Sequence, residues 1–343
     1  MCAAAVLGGL VALVCSAAAS SQPLSPATFV SLSGSVVRVE AGREGGGLHL
    51  GTGITIAPSV VVTNCHVTHD GTGIRIVGSG RVWHVAGQYA DTVHDLCFLR
   101  VPAWQGRPVV LGSSDALRLG QHVAALSFTG GMDIALKFGR VVALHSLDAG
   151  HVIESDTAFT SGSSGGGLFN AGGALVGLLT FRSRGSTGSY YSVPVEWIRE
   201  RLPSENQWTD LGPLHGAQPF WQGVPETLPY FMRVAPLDAE GRWTALLDLA
   251  DRWSSAQPQD AEPLLVRAKA LQKLNRPAAA VIAFNDALRL TPDDPAAWYG
   301  LAFAYASLGD VAALRDAQAK LGALDEALAA DLKVQLSRLQ SAQ

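Results

Sequence analysis

From Thr28 to about Val195 the chain alternates short apolar runs of Val, Ile and Leu with breaks at Gly, Ser, Asp or Asn every eight to twelve residues. Runs of that length and spacing predict antiparallel strands closed into a sandwich or barrel. The clearest are Ser35–Val39, Gly53–Ile56, Val60–Thr63, Ile74–Ile76, Leu96–Val101, Val123–Ser127 and Leu175–Thr180. Residues 203–236 are dense in Pro and Gly yet carry several Trp and Phe, which predicts a linker that packs on a surface, because free tethers seldom hold so many aromatic groups.

Beyond Trp243 the residues turn to Ala, Leu, Asp and Arg in helical periodicity, with a repeat of 34 residues marked by Pro258 and Pro292. Ala268, Ala280, Phe284 and Ala287 fall at the small and aromatic positions of one helix-turn-helix unit. Trp298, Leu301, Ala302 and Tyr305 lead into the turn Leu308-Gly309-Asp310 of the next. Small residues let paired helices approach and large ones fill the space between them. This half, 237–343, resembles the tetratricopeptide repeat family, which implies an α-helical solenoid.

The apolar run Ala3–Val14 is too short to span a bilayer and ends in small residues, with Ala17 and Ala19 at a spacing that signal peptidase accepts. Residues 1–19 therefore read as an export signal, although no Lys or Arg precedes the run. A buried helix or a membrane anchor is the alternative. Removal of that segment takes Cys2 and Cys15 with it and leaves Cys65 and Cys97. In an oxidising compartment two cysteines invite pairing, though small buried free thiols would also suit the pattern. The expected location is a bacterial periplasm or the medium, with no stable membrane insertion after cleavage.

With 343 residues there is room for two domains, and 48% hydrophobic against 16% charged residues excludes a charge-driven disordered chain. Seven of the 37 glycines lie beyond residue 200, so the halves follow different rules. A formal net charge of -4 gives no general field for phosphates, which argues against nucleic acid as a partner.

Three segments carry candidate chemistry. Val61–Val67 is an apolar strand delivering His66 at its end; His94–Val101 sets Asp95 at the mouth of another; Asp156–Asn170 holds Ser164 among glycines. A serine hydroxyl is a weak nucleophile, and needs an imidazole to take its proton and a carboxylate to hold that imidazole's tautomer. Glycines around Ser164 let the amides of Gly162 and Ser164 converge where an oxyanion would form. Taken singly, a glycine-serine run is a loop, a histidine is structural, and an aspartate before a strand is a turn residue.

The order His66, Asp95, Ser164 with these flanks resembles the chymotrypsin-like serine peptidase family, and its HtrA-like branch most. The resemblance spans Gly51 to Trp197. It implies two six-stranded β-barrels over 24–202, a triad of His66, Asp95 and Ser164 in the cleft between them, and an oxyanion hole from the amides of Gly162 and Ser164. It also implies a primary pocket around Ala158, Phe159, Leu179, Thr180 and Tyr190 to Val193, Tyr191 included, without charge and so suited to a small or aliphatic side chain. Barrel packing is an equal reading for Tyr190 and Tyr191, and Arg182 and Arg184 read as a solvated loop face. Where zymogens of the family place an Asp before the nucleophile this chain has Ser163, so no paired N-terminal amine is expected. A fold that unites His66 with Asp95 also brings Cys65 and Cys97 into reach of a disulfide.

No metal or organic cofactor is implied. The expected protein is an exported serine endopeptidase acting on protein or peptide substrates, with the helical repeats recruiting a protein partner. The alternative is an inactive peptidase scaffold that binds through its repeats.

Overall fold

The computed structural model describes residues 24–43, 45–130, 133–182 and 189–341. The expected export signal with Cys2 and Cys15, and Arg184, lie outside the described residues. Two compact units divide the chain. Residues up to Asp91, Leu96–Leu144 and Val152–Leu214 form the first, and Thr92–Asp95, His145–His151 and the residues from His215 onward form the second.

The first unit opens with α1 (Pro26–Ser33), whose first turn is capped by Ser25 Oγ accepting from the Thr28 amide at 3.1 Å. The strands β1 (Val36–Gly42), β2 (Leu48–Ala57), β3 (Val60–Thr63), β4 (Thr72–Gly78), β5 (Arg81–His84), β6 (Gly87–Asp91) and β7 (Leu96–Arg100) form one sheet, with α2 (Cys65–Thr68) after β3. The order is β5-β4-β1-β2-β3-β7-β6, all recorded pairs antiparallel. Ser79 and Gly80, both at positive φ, make the two-residue turn that suits the twist of the β4–β5 hairpin. This first sheet differs from the expected six-stranded barrel. It has seven strands in an open order, and its ends are drawn together where the Val85 amide donates to Ile74 O and the neighbouring Ala86 amide to Arg100 O. Inside it Val37, Val39, Val61, Ile74, Ile76 and Leu99 pack as one buried cluster.

The strands β8 (His122–Thr129), β9 (Asp133–Leu147), β10 (Gly150–Ser155), β11 (Gly167–Asn170), β12 (Leu175–Arg182) and β13 (Tyr190–Pro194) close a barrel in the order β10-β13-β12-β11-β8-β9. Its core holds Val123, Val141, Ile153, Leu168, Val176 and Leu179. Burying each such side chain is worth about 1.5–3 kcal/mol. The helix α3 (Val195–Glu200) follows, with Trp197 fully buried. The chain beyond it packs on the first sheet as far as Leu214. Gln88 and Thr209 form a β-bridge, and the Leu214 amide donates to His69 O at 2.9 Å.

In the second unit α4 (Tyr230–Ala239), α5 (Trp243–Ala256), α6 (Glu262–Lys273), α7 (Pro277–Leu290), α8 (Pro295–Leu308), α9 (Val311–Leu324) and α10 (Glu326–Ser341) pack in sequential neighbours. The small-large rule of the repeat is visible between α7 and α8. A Cβ on Gly300 would stand 2.2 Å from Phe284 Cζ, so the ring seats only against a glycine. Asp294 caps α8 through the amides of Ala296 and Ala297, and Gly309 ends it in the left-handed conformation at φ 72°.

Candidate active site

His66 is the second residue of α2, immediately past β3, which is clamped between β2 and β7. Asn64, the residue at the start of that helix, donates from Nδ2 to Thr180 Oγ1 of the closed barrel at 3.2 Å. Thr63 pairs with Cys97 across β3 and β7, and next to it Cys65 and Cys97 form a disulfide with their Cα atoms 4.8 Å apart. The bridge adjoins His66 on one side and lies two residues beyond Asp95 on the other. Closing 32 residues of chain is worth about 3–4 kcal/mol of loop entropy. Cys97→Ser should accordingly lower the unfolding free energy by that amount, read as a fall in the denaturant midpoint. Dithiothreitol should do the same to the parent and nothing further to the variant; equal midpoints with and without reductant in the parent would refute it.

Asp95 is fully buried and sits at φ 58°, a conformation that costs a non-glycine residue energy but that aspartate tolerates better than most. Its amide donates to Thr92 O at 3.3 Å, and its Oδ2 accepts from Trp221 Nε1 at 3.2 Å.

Ser164 lies on a tight turn between β10 and β11. The turn is tied down by the amides of Ser163, Gly165 and Gly166, which donate to Thr160 O, Leu179 O and Ser163 O at 3.0, 2.8 and 2.8 Å. The amides of Gly162 and Ser164 donate to no carbonyl among the described residues, and Gly162 stands at φ 90°. An amide that donates to no carbonyl on such a turn is able to receive negative charge. Ser164 is half-buried, and its hydroxyl makes no hydrogen bond among the described residues. In unliganded sites such bonds commonly tighten only with substrate. The neighbouring Ser163 hydroxyl is buried without a partner among the described residues.

Thr52, fully buried in β2, fastens this turn to the first sheet. Its amide donates to Ser164 O at 2.8 Å, and its Oγ1 donates to Gly162 O at 2.7 Å while accepting from the Phe128 amide at 2.9 Å. Its carbonyl accepts from Thr63 Oγ1 at 2.7 Å. Two glycines allow the approach. A Cβ on Gly51 would lie 2.5 Å from Val67 Cγ1 and 3.1 Å from Ser164 O; one on Gly165 would lie 2.1 Å from Thr52 O and 3.1 Å from the Asn64 amide. The serine turn is thus seated against the residues on either side of His66. Thr52, Asn64 and Trp221 were not singled out by sequence reasoning. The glycines at 51 and 165 were the local signals of a close approach.

Of the residues expected around a pocket, Phe159 and Leu179 lie in the barrel core. Tyr190 packs against Phe159 with ring centroids 5.0 Å apart, and Tyr191 stacks on Phe181 at 4.7 Å. Thr180 is buried and holds Asn64, Ala158 is exposed, and Arg182 is exposed at the end of β12. In the second unit a groove of about 640 Å³ is lined by Leu265, Lys269, Gln272, Lys273, Tyr299 and Phe303 among others. Burial and a 2.7 Å bond to Asp331 push the Tyr299 hydroxyl up to about 12.

The trypsin-like peptidase domain family matches residues 51–178, and the tetratricopeptide repeat family matches residues 261–304. Two probable periplasmic serine endoproteases, described as DegP-like, are similar. The one from Halomonas elongata is 31% identical over 43% of this chain and 33% of its own length. The one from Ectopseudomonas mendocina is 34% identical over 50% of this chain and 39% of its own. The chain therefore spans under half the length of these relatives. The active form of the Rv3671c protease from M. tuberculosis aligns with a TM-score of 0.50 at 19% identity, over 57% of this chain and 92% of that one, a likeness of fold. No helix among the described residues is long and apolar enough to cross a membrane.

Proposed function

We propose that this chain, a trypsin-like peptidase domain followed by tetratricopeptide repeats, is an exported serine endopeptidase. Ser164 Oγ attacks the scissile carbonyl carbon as His66 takes its proton. The amides of Gly162 and Ser164 hold the oxyanion, and Asp95 keeps the imidazole in the productive tautomer. The imidazolium then protonates the leaving amine, and water, activated by the same imidazole, releases the acyl group from Ser164. The observation that carries this reading is the seating of Ser164-Gly165 on Thr52 and Asn64, which sets the nucleophile turn beside the histidine segment. Ser163, uncharged, has no amine to pair, so activity needs no activating cut. Export is supported by the small-residue segment at 1–19, by the disulfide, and by relatives named as periplasmic. The groove with Lys269 and Lys273 is where the repeats would receive a protein partner.

An organophosphonate bearing a small or aliphatic side chain should label the native chain on Ser164 and leave the Ser164→Ala variant unmodified, as read by intact mass. A native, folded chain that resists labelling at every concentration tried would instead favour a binding scaffold.

A further inference from the structure

We propose that Trp221 is a positioning residue for the acid of the triad, held over Asp95 by a strap of chain that follows the closed barrel and α3. The inference rests on the peptidase reading above. Asp95 is wholly buried, and a carboxyl group taken out of water needs hydrogen-bond partners to replace its lost hydration. Trp221 Nε1 supplies one at 3.2 Å to Oδ2. An indole is a donor only, so it cannot turn round and accept as a serine or threonine hydroxyl can. It fixes the rotation of the carboxylate and leaves the other oxygen to orient the imidazole.

The strap is built to grip the loop that carries the acid. A Cβ on Gly216 would meet Thr92 Oγ1 at 2.5 Å, so the chain passes close against the Thr92 side chain, which would have to shift for any larger residue. The Phe220 amide donates to Val93 O at 2.9 Å, and a turn closed by the Gln222 amide on Pro219 O at 2.8 Å presents Trp221. Contacts at Thr92, Val93 and Asp95 thus fall within one four-residue loop. That loop belongs with the strap in the second unit, although it leads directly into β7. Asp95 sits there at positive φ, a conformation that persists where the surroundings impose it. A Pro- and Gly-rich segment that reads as linker becomes, on this account, part of the catalytic apparatus.

The test uses the full-length chain and a chromogenic peptide ester. Replacing Trp221 by 3-benzothienylalanine keeps the bicyclic shape and exchanges the N–H for sulfur. This should lower kcat about 10- to 100-fold, with KM within about two-fold, because binding is untouched while the imidazole is held less well, and lower the melting temperature by a few degrees, because a buried carboxylate loses a donor. Trp221→Phe should lower kcat at least as far. In the Asp95→Asn background the same change should cost less than about two-fold, since its effect passes through the carboxylate. The low-field imidazole N–H proton resonance, which reports the histidine–carboxylate bond without turnover, should move in the benzothienyl variant. Parental kcat with an unmoved resonance overturns the proposal, as does an undiminished loss in the Asp95→Asn background. Failure of the peptidase reading shows separately, as a chain that no phosphonate labels, and in that case the resonance alone decides the role of Trp221.

Discussion

Ser164→Ala is expected to reduce turnover of an unfolded protein substrate by on the order of 10⁶, the loss typical when the nucleophile of an intact triad is removed. His66→Ala should cost nearly as much. Asp95→Asn should cost about 10⁴, since a neutral amide selects the wrong imidazole tautomer. The double variant Ser164→Ala/His66→Ala should be no slower than either single one, because the groups act as a unit and a unit is lost once. Stability is a separate matter. The Ser164 hydroxyl makes no hydrogen bond among the described residues, while the turn is held by backbone bonds to Thr52, Leu179 and Thr160 that alanine keeps. The Ser164→Ala chain should therefore melt within about 0.5 kcal/mol of its parent, the usual range for changes that touch no packing or network. Residual hydrolysis of a few per cent in a homogeneous Ser164→Ala preparation would remove Ser164 from the role of nucleophile. Additive losses in the double variant would mean that histidine and serine serve different steps.

The candidate residues could be picked out of the chain because each announces itself locally. An apolar strand ending in His66, an acid ahead of Leu96 and a glycine-flanked Ser164 are each visible within a dozen residues. The strands bearing them are short runs buried on both faces, as the patterns of β3 and β7 show, and such runs stand out as continuous hydrophobic stretches. The strand β9 was not legible. Its fifteen residues alternate no face cleanly and most are exposed or half-buried, so neither period stands out. The helix α1 was folded into the β half, although Ser25 followed by Pro26 is an N-cap with proline in the first turn. What no local pattern contains is long-range partnership. Thr52 meets Gly162 at a separation of 110 residues and Trp221 meets Asp95 at 126, and only the assembled chain shows either. The pocket expectation met the opposite difficulty. Phe159 and Leu179 are apolar at positions that a barrel also fills with core, and their chemistry does not distinguish the two.

Gly165→Ala is the change outside the triad from which the largest loss is expected, and it acts on folding and catalysis together. Gly165 is at φ 82°, where an L side chain pays roughly 1–2 kcal/mol in backbone strain. The new methyl would stand 2.1 Å from Thr52 O and 2.4 Å from Thr63 Oγ1. Neither is the free end of a flexible chain. The Thr52 carbonyl is pinned by Thr63 Oγ1, and the Thr52 amide holds the Ser164 carbonyl, so relief must come from moving the serine turn away from the first sheet. Overpacking of this kind adds about 1–3 kcal/mol, bringing the total to about 2–5 kcal/mol out of a typical 5–15. Tryptophan fluorescence in urea should show the midpoint fall accordingly. In the molecules that remain folded, the displaced turn carries the nucleophile away from the histidine segment, and a misplacement of about 1 Å costs on the order of 10² in rate. Gly172→Ala is the matched control. It lies in the β11–β12 connection, and its Cβ would meet nothing nearer than Asn170 Oδ1 at 3.4 Å, so it should shift stability by no more than about 0.5 kcal/mol. If Gly165→Ala matches Gly172→Ala in both midpoint and labelling rate, the turn is not clamped between Thr52 and Asn64, and the geometry from which the peptidase reading draws its support does not hold in solution.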